Sequence, residues 1–282
     1  MDTHKEADFL SERDFEKILQ YILINKGVDI SSYRKSFVLR RLRLRMWTTK
    51  SESSQAYLNL LKDDSEEYHN LLDTLGINVT EFFRDPEVFG AVRRLVLPEL
   101  FQRKTGSSQS RIRIWSAACA SGEEPFSIAI LIKEELEKKK EDFSVSISAT
   151  DMDKDALEKA RKAEYREVDL KKLDKKTLEK YFIPSYNNCY KLKDEIRQMV
   201  NFHEHNLLTH EPLKFMDIIF CRNMMIYLAR QQQRELLIKF NHALCLRGYF
   251  VVGKVENLTA KELFFPVSMH EKIYQKVEQT DA

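Results

Sequence analysis

The stretch from Arg111 to Pro125, RIRIWSAACASGEEP, constrains the fold more than any other part of the chain. Its first five residues alternate polar with β-branched or aromatic side chains, which is typical of a strand. Small residues then run from Ser116 to Gly122, and two glutamates and Pro125 open an apolar pattern at helical spacing. A strand, a tight turn and a helix present backbone N–H groups to a ligand at the carboxyl edge of an α/β sheet.

The next strand-like run, Phe143 to Thr150, is followed by Asp151. In nucleotide-binding α/β folds an acid at this place hydrogen-bonds ribose hydroxyls. The glycine fingerprint G-x-G-x-x-G is absent, which disfavours a dinucleotide dehydrogenase. Small Ala, Ser and Cys side chains suffice where the backbone approaches an adenosyl ligand that has no pyrophosphate. The sequence therefore favours an adenosyl site at this edge.

Composition excludes several other classes of protein. The 282 residues allow one large or two modest domains, and 46 Lys and Arg nearly balance 44 Asp and Glu, so no general affinity for polyanions is expected. Four cysteines show no C-x-x-C spacing, and no stretch resembles a signal peptide or approaches the ~20 apolar residues of a membrane span. We expect a reduced, soluble, cytoplasmic protein without membrane insertion.

Residues 1–75 predict an all-α domain of four short amphipathic helices. The second of these helices, from Ser31 or Ser32 to about Trp47, holds six basic residues and no acid. Three of its cations, at i, i+7 and i+11, share one stripe: Arg34, Arg41 and Arg45. A solvated face is the simplest interpretation of this helix, with nucleic-acid binding as the alternative.

Residues 76–282 predict a Rossmann-like α/β domain. Asp85 is expected to cap a helix that ends near Pro98. The predicted strands cover 111–117, 143–150, 199–205, 215–221 and 248–254, with helices at 124–140, 154–164 and 230–244 and a final antiparallel strand or pair. A Lys-rich interruption at about 166–198 is too long for a loop and predicts a small inserted subdomain.

Five motifs occur in one order along this domain. They are NVTEFFR at 78–84, WSAACASGEEP at 115–125, ATDMD at 149–153, HNLL at 205–208 and DIIFCRNMMIY at 217–227. Together they resemble the CheR family, the S-adenosylmethionine-dependent methyltransferases that modify glutamate side chains of bacterial and archaeal chemotaxis receptors. The resemblance covers nearly the whole chain and implies a class I methyltransferase fold, with S-adenosylhomocysteine as product.

The resemblance also implies a set of site residues. Glu124 would face the amino group of the cofactor and Asp151 its ribose, while Arg84 and Tyr227 would serve catalysis near the methyl group. The positions that match the family's cofactor contacts are Asn78, Thr80, Arg84, Ala117, Glu124, Asp151, Met152, Asn206, Leu207, Cys221, Arg222 and Asn223. The basic helix would dock on the acidic helical bundle of the receptor through Arg34, Arg41 and Arg45.

Elementary chemistry agrees with this interpretation. A glutamate acceptor with a pKa of ~4.3 is ionised at neutral pH, so the reaction needs no general base. Catalysis then consists of aligning the carboxylate oxygen with the methyl carbon and sulfur and excluding water. Arg84 would orient either the acceptor or the cofactor carboxylate, and the sequence does not choose between them.

Other residues receive structural interpretations. Glu123 is expected to be a solvated acid, Asp153 a helix cap, and Cys119 and Cys221 small residues of a tight cleft. Three nearby histidines, His203, His205 and His210, lack partners at ligand spacing, so no metal site is expected. No glycine lies between Arg166 and Phe202, where relatives that grip a receptor tether have one, so we expect no tether.

Two rival functions remain open from the sequence. One is a non-catalytic adaptor that keeps the methyltransferase fold, and the other is a methyltransferase for a small molecule or nucleic acid. The intact set of cofactor positions argues against the adaptor. We expect a monomer that acts on a receptor and binds no nucleic acid.

Overall fold

The computed structural model describes residues 10–26, 30–31, 33–75, 80–105, 110–139, 142–258 and 260–277. The chain forms two compact units, one of residues 1–79 with 227–229 and one of residues 80–226 with 230–282. Asn78 lies outside the described residues. In the described part of the chain, no helix has both the length and the apolar character that crossing a membrane requires.

The first unit is helical, as predicted. Its four helices are α1 (Glu12–Lys26), α2 (Lys35–Thr48), α3 (Ser54–Asp63) and α4 (Ser65–Thr74). Apolar side chains at helical spacing, such as Ile18, Leu42 and Leu71, are fully buried between them. The predicted start of α2 is wrong by several residues, because Tyr33 pairs in an antiparallel bridge with Leu228 and keeps the chain extended before the helix.

The second unit alternates strands and helices. Its elements in chain order are α5 (Pro86–Ala91), α6 (Leu97–Lys104), β1 (Arg111–Ala117), α7 (Glu123–Leu136), β2 (Ser144–Asp151), α8 (Lys154–Lys162), β3 (Glu164–Arg166), α9 (Lys175–Tyr181), β4 (Phe182–Pro184), β5 (Cys189–Leu192), α10 (Asp194–Arg197), β6 (Val200–Glu204), β7 (Met216–Cys221), α11 (Arg230–Ala243), β8 (Leu244–Val252), β9 (Phe264–Ser268) and β10 (Ile273–Lys276).

Seven strands form the central sheet in the order β6-β2-β1-β7-β8-β10-β9. The strands β6, β2, β1, β7 and β8 are parallel, and β10 runs antiparallel to both of its neighbours. This arrangement confirms the predicted Rossmann-like fold and the antiparallel pair at its end. The strand order reverses between β1 and β7, and open α/β sheets bind ligands outside the carboxyl ends of the strands at such a point.

The interruption after α8 contains a second, three-stranded antiparallel sheet in the order β3-β5-β4. The connection between β4 and β5 passes through Asn187 and Asn188, whose φ angles are +54° and +56°. Asparagine tolerates this left-handed region better than most residues. The hairpin therefore has left-handed residues without a glycine, and the expectation that the protein uses no tether stays a prediction.

The helix that was expected to end near Pro98 continues to Lys104. A π-helical stretch, Val92–Val96, joins α5 to α6, and Pro98 falls in the first turn of α6. Because proline lacks an N–H and its ring crowds the preceding turn, a widened turn just before it lets the helix go on. The predicted end was wrong for this reason.

Candidate active site

Three of the predicted motifs meet at the carboxyl edge of the sheet. The strand ends of β2 and β7 flank that of β1, with Ala117 paired to Thr150 and Ser116 paired to Phe220. Asp151 and the segment Cys221–Asn223 therefore lie on either side of the turn that follows β1. This is the edge at which the sequence placed an adenosyl ligand.

The turn after β1 has a left-handed backbone at three alternate residues. The φ angles are +61° at Ala118, +46° at Ala120 and +96° at Gly122. A Cβ at Gly122 would lie 3.0 Å from the Cβ of Ala160 and 3.1 Å from the hydroxyl oxygen of Tyr165, so glycine is required by both space and conformation. Ala118 and Ala120 adopt the same region in spite of their Cβ atoms, so the surrounding contacts must hold this turn.

Asp151 anchors this turn to β2. Its side chain is buried, and its two carboxylate oxygens accept hydrogen bonds from the backbone N–H of Ala120 at 2.8 Å and of Asp153 at 2.9 Å. Burial raises the pKa of Asp151, while these backbone N–H groups oppose the rise. A carboxylate has about four lone-pair sites, so both oxygens keep capacity for a ligand's hydroxyl groups.

Glu124 lies in the first turn of α7 on the other side of β1. It accepts hydrogen bonds from the Ser116 hydroxyl at 2.8 Å and from Nη1 of Arg222 at 3.3 Å. Burial raises the pKa of Glu124, while the charge of Arg222, the Ser116 hydroxyl and the charge of Arg84 lower it. With 12% of its side chain exposed, this acid can still meet a ligand's ammonium group.

Arg222 connects three segments of the site. Its side chain is 2% exposed, and besides Glu124 it donates to the carbonyl oxygen of Arg84 and to Oδ2 of Asp85, both at 2.7 Å. Asp85 stands at the N-cap position of α5, but its side chain makes no capping hydrogen bond, so the predicted cap is wrong. The carboxylate of Asp85 instead accepts from the buried guanidinium of Arg222, whose charge requires hydrogen-bond partners.

The two acids flank one thiol, that of Cys119. Burial raises the pKa of Cys119 well above its usual value, and the charges of Asp151 and Glu124 raise it further. Both carboxylates therefore act on this turn, and their contacts with a cofactor stay a prediction. A thiol with this raised pKa is a poor nucleophile, in keeping with its interpretation as a small cleft residue.

The remaining predicted cofactor positions differ in burial. Ala117, Leu207 and Cys221 are buried, whereas a second group is half-buried: Thr80, Arg84, Met152, Asn206 and Asn223. The side-chain oxygen of Asn206 accepts a hydrogen bond from the N–H of Leu208 at 2.9 Å, so it shapes its own loop.

Lys239, on α11, anchors that loop and was not anticipated from the sequence. Its ammonium donates to the carbonyl oxygens of Leu208 at 2.6 Å and His210 at 3.1 Å. No sequence signal distinguishes this lysine from the many others of the chain, because its role depends on where α11 packs.

Glu123 is buried, although the sequence predicted a solvated acid. It is 7% exposed, and both of its carboxylate oxygens accept from the Ser121 hydroxyl, at 3.0 and 2.9 Å. Burial raises the pKa of Glu123 to about 7. The first turn of α7 packs against the turn after β1 and not against solvent, which explains the error. Asp153, in contrast, caps α8 as predicted by accepting from the N–H of Ala156.

The helical unit holds the other predicted residues. The ring of Tyr227 stacks on Tyr33 with centroids 5.2 Å apart, and Phe37 packs against it at 5.1 Å. The backbone carbonyl of Tyr227 accepts from the N–H of Arg34 at 2.8 Å. Tyr227 is thus part of an aromatic cluster that includes residues at the start of α2.

The predicted cationic stripe on α2 needs correction. Arg45 has only 15% of its side chain exposed, and its Nε donates at 3.0 Å to the buried carboxylate of Glu67, which also accepts from the hydroxyl of Tyr57. The guanidinium of Arg41 lies over the ring of Phe37. The exposed positions of α2 are instead Lys35, Ser36, Arg40, Arg43, Leu44, Trp47 and Thr48, and Arg34 is exposed just before the helix. Spacing alone did not reveal that a buried acid on α4 draws Arg45 inwards.

No group of three or more His, Cys, Asp or Glu side chains within the described ranges is arranged to hold a metal ion. Among the histidines, the ring of His205 packs edge-on against Trp115 and also meets the ring of His210. Burial lowers the pKa of His205, which favours the neutral imidazole.

Comparison with known proteins places these features in a family. Residues 13–75 match the CheR methyltransferase all-alpha domain, and residues 78–273 match the CheR methyltransferase SAM binding domain. The chain is 31% identical over 253 residues to a chemotaxis protein methyltransferase of Borreliella burgdorferi, covering 88% of this chain and 89% of that protein. It is 33% identical over 264 residues to the Escherichia coli chemotaxis protein methyltransferase, covering 91% and 88%. It is 31% identical over 268 residues to chemotaxis protein methyltransferase 2 of Vibrio cholerae, covering 93% and 92%. The chain therefore belongs to the CheR family of S-adenosylmethionine-dependent methyltransferases.

Proposed function

We propose that this protein transfers a methyl group from S-adenosylmethionine to glutamate side chains of chemotaxis receptors, forming glutamyl methyl esters. The observation that carries this proposal is a pair of acids, the half-buried Glu124 and the buried Asp151, on either side of a left-handed small-residue turn at the switch point of the sheet. Their chemistry fits the ammonium and the ribose diol of this cofactor. The relatives' shared description, chemotaxis protein methyltransferase, supports the receptor as substrate.

When bound, the cofactor supplies a methyl group on a cationic sulfonium. The chain's own residues then need only hold and orient the reactants, since the acceptor carboxylate is already ionised. Glu124 would bind the amino group of the cofactor and Asp151 its ribose. The half-buried cofactor positions named above would contact the rest of the molecule. Because Arg222 is engaged with three protein acceptors, we assign it the role of holding Glu124 and the first motif in place.

We further propose that Arg84 and Tyr227 orient the acceptor carboxylate. Arg84 is close enough to Glu124 to lower the pKa of that acid, so its cation belongs to the same electrostatic environment. Tyr227 directly follows Ile226 in the last motif. An arginine bound too tightly to the nucleophile would reduce its reactivity, so we expect orientation and not full neutralisation.

We propose that the two family domains have separate roles, one in receptor docking and one in cofactor binding. Residues 1–75 would dock on the receptor's helical bundle, and residues 76–282 would bind the cofactor, with an inserted subdomain at about 166–198. The exposed cations at α2, with Leu44 and Trp47, suit a partner helix that offers acidic and apolar side chains. We propose that the protein acts as a cytoplasmic monomer.

A methyl-transfer assay tests this proposal. The protein is incubated with methyl-labelled cofactor and receptor-rich membranes, and label that mild base releases is counted. We expect base-labile label on the receptor, a strong loss in Arg84→Ala, and little change in Arg94→Ala, which removes an exposed arginine of the same unit. Cofactor binding without transfer would favour a non-catalytic adaptor instead. Label in nucleic acid or small molecules would favour a methyltransferase that acts on those substrates.

A further inference from the structure

Glu256 is a buried carboxylate to which the mechanism above gives no role. It is 3% exposed and follows the end of β8 by four residues. A buried ionised acid costs free energy unless hydrogen bonds or opposite charges compensate for the lost water. The groups that surround Glu256 therefore indicate what it does.

One oxygen of Glu256 joins the ends of two neighbouring strands. Its Oε2 accepts from the N–H of Gly253 at 2.6 Å and from the N–H of Asn223 at 2.9 Å. Gly253 is the first residue after β8, and Asn223 is the second after β7. The N–H of Glu256 also donates to the carbonyl oxygen of Gly253 at 2.9 Å, which closes the turn on itself. Two loops at the carboxyl edge of the sheet thus share one anchor.

Backbone dipoles only partly offset the cost of burying this carboxylate. Burial raises the pKa of Glu256, whereas the backbone N–H groups of Gly253, Asn223, Met225 and Ile226 lower it. Cys221, whose thiol pKa burial raises, feels the charges of Glu256 and Glu124 in addition. Both Glu256 and the acid that we assign to the cofactor therefore act on the thiol of Cys221.

The segment that Glu256 holds is a left-handed turn packed closely against the end of β8. Asn223 has a φ of +60°, a conformation that asparagine adopts more readily than most residues. A Cβ at Gly253 would lie 2.8 Å from the backbone nitrogen of Asn223 and 2.8 Å from Oε2 of Glu256. The turn therefore depends on a glycine at 253 and on the position of the Glu256 carboxylate. Asn223 directly follows Arg222, so the turn also fixes the residue that binds Glu124.

We propose that Glu256 is a positioning residue of the methyl-transfer reaction. It holds the turn from Asn223 to Ile226 and, through that turn, the guanidinium of Arg222 and the carboxylate of Glu124. This inference rests on the proposed function, because it assigns Arg222 and Glu124 to the cofactor site. The inference predicts that replacing Glu256 lowers the affinity for the cofactor, because Glu256 acts on the cofactor site through Arg222 and Glu124.

The test compares two variants that each neutralise one buried acid bordering the same parallel sheet. Glu256→Gln changes the proposed anchor. Asp217→Asn is the matched control, because Asp217 is 1% exposed, accepts from the N–H of Arg113 at 2.9 Å and lies at the opposite end of β7. Each variant's affinity for S-adenosylhomocysteine is measured by calorimetry, its melting temperature is recorded, and amide exchange of residues 222–226 is followed by mass spectrometry.

Unlike Glu123, which accepts from one hydroxyl, Glu256 faces four backbone N–H groups, and the NH2 group of a glutamine cannot accept from them. We therefore expect Glu256→Gln to bind S-adenosylhomocysteine roughly tenfold to a hundredfold more weakly, the range for a hydrogen bond to a charged group. Exchange at 222–226 should accelerate, and the KM for S-adenosylmethionine should rise. Asp217→Asn should lower the melting temperature while leaving affinity and local exchange unchanged. The inference is overturned if Glu256→Gln binds as wild type, or if Asp217→Asn loses as much affinity.

A second variant keeps the inference testable if Glu256→Gln does not fold. Gly253→Ala places a methyl group against Asn223 and Glu256 and should weaken S-adenosylhomocysteine binding in the same way; wild-type affinity in this variant would refute the inference. The binding readout also separates the two proposals. A wild-type protein that binds the cofactor but methylates no receptor contradicts the proposed function, while the difference between variants still decides the role of Glu256.

Discussion

Replacing Glu123 by glutamine should stabilise the protein, and only above mildly acidic pH. Burial raises the pKa of Glu123 from 4.5 to about 7, so the folded protein binds this proton more tightly than the unfolded chain does. Ionisation of Glu123 therefore costs folding free energy as the pH rises between these two values. The cost is absent below the unfolded pKa and complete above the folded one.

The size of the effect follows from the shift. Each pKa unit corresponds to about 1.4 kcal/mol, so a shift from 4.5 to about 7 corresponds to roughly 3 kcal/mol at alkaline pH. Glutamine has nearly the same shape, carries no charge and can still accept from the Ser121 hydroxyl through its carbonyl oxygen. The full gain should appear at about pH 8 and vanish towards about pH 4.5.

Urea unfolding across this pH range measures the difference. Fluorescence of Trp115, which is buried in the α/β unit, reports the relevant transition. Glu66→Gln is the control, since it replaces an exposed first-turn acid of α4. A Glu123→Gln variant that is less stable than wild type at alkaline pH, or whose gain does not depend on pH, would refute the reasoning.

Three further predictions concern single contacts. Arg45→Ala should cost about 3 to 5 kcal/mol in urea unfolding, because it leaves Glu67 buried without its cation; a loss below about 1 kcal/mol, the level of a surface pair, would contradict this. Trp47→Ala should leave unfolding and S-adenosylhomocysteine affinity unchanged and reduce receptor methylation several-fold, as expected for an exposed docking residue; unchanged methylation would count against docking through α2. Asp85→Asn should weaken S-adenosylhomocysteine binding about tenfold in calorimetry, because Arg222 loses a charged acceptor, and wild-type affinity would exclude that role.

The strand ends were predictable because their signals are local. Alternation marked β1 and a strand-like run marked β2. Asp151 at the end of β2 and the small-residue turn at the end of β1 lie at the edge where a parallel sheet must place them. The helical first unit was predictable for the same reason, since its apolar periodicity is carried by each helix separately.

The errors came from charged groups whose partners lie far along the chain. Arg45 turns inwards because of Glu67, and Asp85 leaves its cap because of Arg222, 137 positions away. Glu123 is a different case, because it packs against the turn that immediately precedes it, and its burial depends on how that turn packs in the fold. Such pairings depend on the fold as a whole, so periodicity and capping rules cannot supply them.

Mass spectrometry of the methylated receptor tests the central claim most directly. Receptor incubated with this protein and S-adenosylmethionine is digested, and its peptides are sequenced before and after mild base. The account predicts the mass of one added methylene on glutamate side chains of the receptor's helical bundle, removed by base and absent when Arg84→Ala replaces the wild-type protein. Methylation of another residue type, or none despite tight S-adenosylmethionine binding, would contradict it.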